Sequence, residues 1–235
     1  MSEYIIDGRT KANFEEAAKK LRLADTKAIL LVSVGQRYHE GDKLRATVEL
    51  LNRSEFKQVT IAVADTLQRS NLHGLSPEEA YTRSLREGGD WLERNAKMLG
   101  RLSVPNEVLR WDEALTDPDY AGFRQRIEHA YENNPLYRQA VNATIGKFIN
   151  RFTPRNPEAD TEKAFRGCLE YLIEECPIIM PMWAHQGYDY VIYPQMMTAA
   201  MAETQRLFVA EEYPGKGGWL SLRFKKRAAA AEQAA

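Results

Sequence analysis

The sequence predicts a single α/β domain built on a mostly parallel sheet flanked by helices. Three observations carry that prediction. Residues 28–34 form an apolar run bounded by Gly35, the form of a buried strand. Val59–Ala64 is a second apolar, β-branched run, ending at Asp65. Between them Leu44, Val48 and Leu51 recur at helical spacing. Strand, helix and strand in that order make a right-handed crossover between parallel strands. Both strands then deliver their carboxyl ends, Ser33 and Asp65, to one sheet edge, where open α/β folds bind ligands.

The remaining elements follow along the chain. Residues 13–23 read as a short amphipathic helix. Ser76-Pro-Glu-Glu opens a helix with an N-cap serine, a first-turn proline and first-turn acids, running towards Leu102, with Gly88-Gly89 the place where a break or kink could fall. Residues 108–111 read as a short strand, and Pro118 to Tyr131 and Pro135 to Phe152 as two helices. Glu162 to Cys176 is a further helix, stopped by Pro177. Tyr190–Tyr193 is a strand closed by Pro194, Met196 to Phe208 a Met-rich helix, and Trp219–Phe224 a last strand. Residues 1–227 form the one domain, and the Ala-rich residues 228–235 are expected to be a disordered tail.

Composition narrows the function classes. The 235 residues are 44% hydrophobic and 28% charged, enough for one sizeable core. A net charge of −1 leaves no global positive field, so nucleic-acid contact would need a local patch. Cys168 and Cys176 share one helix without zinc or CxxC spacing and read as reduced core thiols. No phosphate-binding glycine motif and no metal-ligand spacing is present, so no cofactor and no metal are expected. The start lacks a basic, apolar signal pattern, and no apolar stretch approaches the roughly 20 residues that cross a bilayer. A monomeric cytoplasmic protein is the expectation.

Individual residues leave alternatives open. Ser33 sits at a strand end beside a glycine, but Leu31 stands where a nucleophile elbow needs glycine. His39, His73, His129 and His185 show no triad signature, so Ser33 is a nucleophile or a structural hydrogen bonder. Tyr171 and Glu175 share a helix face, as an amine-handling pair or as a packed phenol beside a solvated acid. Tyr193 can relay a proton or simply pack. Arg83, Arg86, Arg94, Lys97 and Arg101 fall in one helical stripe, opposite Leu85, Leu92, Ala96 and Leu99. Glu87, Asp90 and Glu93 enter the same stripe, so it is a nucleic-acid surface or a mixed solvated face. Lys225-Lys226-Arg227 is a second basic candidate.

The combination is more specific than its parts. Ser33-Val-Gly35, the run 64–69 (Ala-Asp-Thr-Leu-Gln-Arg), Asn150-Arg151, Tyr171-x-x-x-Glu175 followed by Cys-Pro, and Ile192-Tyr193-Pro194 resemble the cyclodipeptide synthases. Gln36 and Tyr193-Pro194 resemble the Tyr-Pro subgroup of that family. The resemblance implies a single Rossmann-type domain similar to class I aminoacyl-tRNA synthetase catalytic domains. It implies that two aminoacyl-tRNAs are joined, by ping-pong acyl transfer, into a 2,5-diketopiperazine. Ser33 would carry the acyl group, Tyr171 and Glu175 would hold its α-amine, and Tyr193 would assist proton transfer. Gly35 and Gln36 would border the serine, with the Gly35 N–H as an oxyanion donor. Ile29, Leu31, Ile178 and Val191 would line a pocket for an aliphatic first residue. Tyr120, Asn150 and Arg151 would face the second substrate, with Lys147 beside Arg151 favouring an acidic or polar one. The basic helix Arg83–Arg101 would meet tRNA. A tRNA-independent serine esterase or acyltransferase, and a non-catalytic tRNA-binding synthetase relative, are the alternatives.

Overall fold

The computed structural model describes residues 6–72, 74–155, 158 and 160–226. Its strands are β1 (Thr10–Phe14), β2 (Lys27–Ser33), β3 (Gln58–Ala64), β4 (Asn106–Arg110), β5 (Tyr190–Tyr193) and β6 (Gly218–Lys226). Its helices are α1 (Gly41–Asn52), α2 (Pro77–Leu99), α3 (Trp111–Leu115), α4 (Tyr120–Asn133), α5 (Pro135–Phe152), α6 (Thr161–Pro177), α7 (Trp183–His185) and α8 (Ala199–Phe208). The strands form one sheet in the order β1-β6-β5-β2-β3-β4. All neighbours are parallel except β1, which runs antiparallel to β6. The single α/β domain with a mostly parallel sheet therefore stands.

Strand alternation divides the core into two layers. Ile29 and Leu31 of β2, Val191 of β5 and Ala62 and Ala64 of β3 face helices α4, α5, α6 and α8. Ala28, Leu30, Val32, Val59, Ile61, Val63, Ile192 and Leu220 face α1 and α2 on the other side. Ser33 and Tyr193 continue the first set, which aims both at the layer roofed by α5, α6 and α8. Each fully buried Leu or Ile contributes roughly 1.5–3 kcal/mol.

Several expectations change. Residues 13–23 are not a helix: β1 ends at Phe14, and a 3-10 turn follows over Glu16–Lys20. Ala12 is buried and Phe14 half-buried on the α1 side, and β6 supplies the hydrogen bonds. That non-local pairing overrides local propensity. Helix α2 runs on as expected, unbroken through Gly88-Gly89, and ends at Leu99. A Cβ at Gly88 would lie within 2.8 Å of Asp65 Cγ, closer still to its Cβ and Oδ2, so the glycine allows a close approach. Pro177 does not stop α6: a wide π turn over Ile178–Met182 absorbs the missing N–H and leads into α7. Trp111 opens α3 instead of closing β4, and the Met-rich helix begins only at Ala199, capped by Thr198. Arg227 and the tail beyond it lie outside the described residues. No helix among the described residues is long and apolar enough to cross a membrane.

Candidate active site

Strand β2 places Ser33 at its carboxyl end, and Gly35 turns the chain away with φ +83°. The turn is pinned from behind by α2. Trp91 Nε1 donates to the His39 carbonyl at 3.0 Å, and Arg94 Nη2 and Asn95 Nδ2 reach the buried Glu40 carboxylate at 2.7 and 3.2 Å. Parallel neighbour β5 carries Tyr193 to the same edge, and the Ser33 Oγ to Tyr193 Oη distance is 3.0 Å. The Tyr193 hydroxyl also lies 2.7 Å from Tyr38 Oη. Burial pushes the Tyr193 and Tyr38 phenols above the ordinary range, so both stay protonated.

Beside them opens a cavity of about 630 Å³. Cys168, Tyr171, Leu172 and Glu175 line it as one stripe of α6. Tyr171 Oη donates to Glu175 Oε1 at 3.4 Å. Burial raises the Glu175 carboxyl to about 8; the Tyr171 hydrogen bond opposes that shift, and neighbouring Glu174 adds to it. Glu174 points away, into a buried network: Arg69 binds its carboxylate in a fork, and Trp111 Nε1 donates to Oε1 at 2.9 Å. This clamp ties α6 to the segment after β3, which also brings Gln68 and Asn71 to the cavity.

A carboxyl that prefers its neutral form when folded destabilises the fold as pH rises from the ordinary carboxylate range towards about 8. Glu175→Gln is therefore expected to gain roughly 1–3 kcal/mol over the parent at about pH 8. At about pH 4 the gain is expected to vanish. Urea midpoints at the two pH values check this, and a gain that does not grow with pH refutes it.

The structure brings Ser33, Tyr171, Glu175, Tyr193, Leu31, Gln36 and Arg151 to one cavity. Ile29, Ile178 and Val191 are wholly buried in the core and do not line it. Lys147 and Asn150 are exposed on α5 outside the lining; Arg151 Nε donates to the Lys147 carbonyl at 3.1 Å. Tyr120 packs against the core and accepts from Arg124 Nη1 at 3.3 Å, away from the cavity. The basic stripe of α2 is partly committed. Arg83 pairs with Glu87 at 2.8 Å and Arg94 with buried Glu40, leaving Arg86, Lys97 and Arg101 without ion partners among the described residues. Its buried face is Ala80, Ser84, Gly88, Trp91, Asn95 and Leu99; Ala96, expected opposite the stripe, is exposed. Residues missed in the sequence include Tyr38, Thr144, Phe148, Phe152, Gln195 and Trp219. Tyr38 was findable, since it lies five residues after Ser33 in the same strand-end loop.

Among the described residues no histidine hydrogen-bonds to Ser33, and no cluster of His, Cys, Asp or Glu is arranged to hold a metal. A strand-end hydroxyl without a strong base, next to a phenol–carboxyl pair, would as a nucleophile suit an acyl group that arrives activated. The cyclodipeptide synthase family model matches residues 14–190. The chain belongs to the cyclodipeptide synthases. Members of this family are aminoacyl-transferring enzymes. A cyclodipeptide synthase from Fluoribacter dumoffii is 36% identical, with 93% of this chain and 99% of that one covered and a TM-score of 0.88. The same fold recurs in a cyclodipeptide synthase from Candidatus Glomeribacter gigasporarum bound to Phe-tRNAPhe (19% identity, 93% and 96% coverage, TM-score 0.73). It recurs again in a Mycobacterium tuberculosis protein that relates these enzymes to type I tRNA synthetases (14% identity, 94% of each chain, TM-score 0.62). A comparison with curated protein sequences finds no match.

Proposed function

We propose that this cyclodipeptide synthase joins two aminoacyl-tRNAs by ping-pong transfer through Ser33, as a member of the Tyr-Pro subgroup. The observation that carries the reading is the 3.0 Å Ser33–Tyr193 contact on the cavity that also holds Tyr171 and Glu175. Ser33 Oγ attacks the first ester, its bond to the acyl carbon forms, and the ribose oxygen leaves with the serine's proton. The α-amine of that acyl-enzyme then attacks the second ester and releases the second tRNA. Glu175 takes the amine's proton and passes it to the departing ribose oxygen. A carboxyl near 8 matches an α-amine near the same value, which favours exchange in either direction. In the last step the new terminal amine attacks the Ser33 ester, and Tyr193 protonates the leaving Oγ. Cyclisation is intramolecular, so holding both ends in one cavity supplies much of the drive.

The buried apolar wall formed by Leu31, Ile145, Cys168, Leu172 and Met201 supports an aliphatic first residue. Among the described residues Arg151 is the cation in the lining and supports a polar or acidic second residue; Lys147 acts only from outside it. Incubating the pure enzyme with charged tRNAs and reading products by mass spectrometry tests the function. Cyclic dipeptides that persist after RNase treatment of the charged tRNAs refute it in favour of a tRNA-independent acyltransferase.

For the tRNA surface, the pairing of β1 with β6 offers a better face than α2. Lys11 stands opposite Lys225 and Asn13 opposite Arg223, all exposed on the sheet face that carries Trp219 into the cavity wall. Lys11 and Lys225 have no ion partner among the described residues, and like charges in direct register repel until an anion bridges them. At about 3.3 Å per residue, Lys225 lies roughly 13 Å beyond Ser221 along the strand, a reach suited to a phosphate backbone. Lys11→Glu with Lys225→Glu is expected to raise KM for aminoacyl-tRNA about tenfold and to flatten its salt dependence. A larger effect from charge reversal at Arg86, Lys97 and Arg101 would return the surface to α2.

A further inference from the structure

Tyr38, in the loop that follows Ser33, is one of the cavity-lining residues that no expectation singled out. It sits in the 3-10 turn Arg37–His39, the turn held by Trp91 through the His39 carbonyl. Its hydroxyl is 2.7 Å from Tyr193 Oη and 3.5 Å from Gln195 Nε2. Four side chains therefore form one hydrogen-bonded line, Gln195, Tyr38, Tyr193 and Ser33. The amide nitrogen at the outer end only donates. Tyr38 Oη accepts from it and has its own hydrogen free to donate to Tyr193. By distance alone either oxygen of each hydroxyl pair can donate; if Tyr38 donates to Tyr193, the Tyr193 hydrogen is left to offer to Ser33 Oγ. The rings leave little freedom to rearrange. Tyr193 contacts Tyr38 edge-on at 5.8 Å, His39 at 5.7 Å and Trp219 at 5.8 Å.

We propose that Tyr38 is a positioning residue that sets the direction of this line, making Tyr193 a proton donor to Ser33. The proposal rests on the ping-pong reading above and assigns Tyr38 to one of its steps. During ring closure the nitrogen–carbon bond of the second amide forms and the Ser33 ester bond breaks. Tyr193 gives its hydrogen to the departing Oγ, and Tyr38 gives its own to Tyr193. Water at the cavity returns a proton to Tyr38, and the attacking amine loses one to water, so the protons balance. A hydrogen bond received by Tyr193 stabilises the charge it develops as its proton leaves, which makes it the stronger acid. Acylation differs: there Ser33 loses its proton to the ribose oxygen, and the line has no donation to make.

The test is Tyr38→Phe, which keeps the ring and removes only the hydroxyl. Product release is expected to slow about tenfold to a hundredfold. The first acylation and the KM for aminoacyl-tRNA are expected to stay near the parent values. Intact-protein mass spectrometry should then show a dipeptidyl adduct on Ser33 that the parent does not accumulate. Gln195→Leu, at the exposed end of the line, is expected to give a weaker version of the same adduct, and it carries the test if Tyr38→Phe fails to fold. Parent-like release in these variants overturns the proposal, as does equal slowing of acylation and release, which marks a merely structural role. A parent enzyme that forms no adduct and no product overturns the ping-pong reading and this proposal together; a parent that turns over beside indifferent variants overturns this one alone.

Discussion

Ser33→Ala is expected to lower cyclic dipeptide formation by roughly three orders of magnitude or more, because the proposed acyl carrier is lost. The fold should hardly notice. Among the described residues Ser33 makes one side-chain hydrogen bond, to Tyr193, which keeps its partner Tyr38 when the serine hydroxyl is removed. Loss of that bond costs about 1 kcal/mol. Aminoacyl-tRNA binding should persist, since the proposed contacts of Lys11 and Lys225 lie on β1 and β6. The measurement is product in the medium of a bacterium expressing each form, with a filter-binding assay on the purified variant. Undiminished product from the alanine form would remove Ser33 from the chemistry.

The second large effect concerns stability. Gly88→Ala would drive a methyl group into Asp65, which is wholly buried and bound by the Arg110 guanidinium, by the Thr66 N–H at 2.8 Å and by the Trp111 N–H at 3.4 Å. Overpacking and disturbance of a buried ion pair together make a loss of roughly 3–5 kcal/mol the expected result. In a domain of this size that lowers Tm by about 10 °C. The neighbouring Gly89 supplies the control: nothing lies within 4 Å of its Cβ position, so Gly89→Ala should stabilise α2 by about 0.5–1 kcal/mol. Equal responses at the two glycines would show that helix propensity, and not the approach of Asp65, governs position 88.

This pair of glycines also shows where sequence reading stops. Two adjacent glycines in a helical pattern look like a break, and only the position of Asp65 at the end of β3 explains why one of them is needed. Local signals were sufficient where the chain decides its own conformation. The apolar runs of β2, β3 and β5 and the Asn134-Pro135 start of α5 are such cases, since Asn134 caps Leu136 and Tyr137 as its position implies. They were insufficient for β1, whose hydrogen bonds come from a strand over two hundred residues later. They also missed the continuation through Pro177, where a π turn replaces the expected stop. For the site, residue identity pointed to Ser33, Tyr171, Glu175 and Tyr193 through the family they resemble, and the four line one cavity. The cavity wall was less legible. Ile29 and Val191 are apolar strand residues and Ile178 follows α6, yet all three are sealed in the core. Tyr38 gave no periodic signal, because its role depends on where Tyr193 arrives.

The central pairing of β2 with β5 has a consequence for how the enzyme comes into being. Ser33 and Tyr193 are 160 residues apart in the chain, yet their hydroxyls touch in the finished protein. During translation the strand bearing the serine leaves the ribosome long before its partner exists. The β2–α1–β3 unit can form early from local contacts, but the slot beside β2 stays open until β5 is made. A nascent chain therefore carries a serine with no tyrosine behind it and no cavity around it. The pair of hydroxyls is therefore complete only once most of the polypeptide has been synthesised, so the order of strands in the sheet sets when the site can assemble.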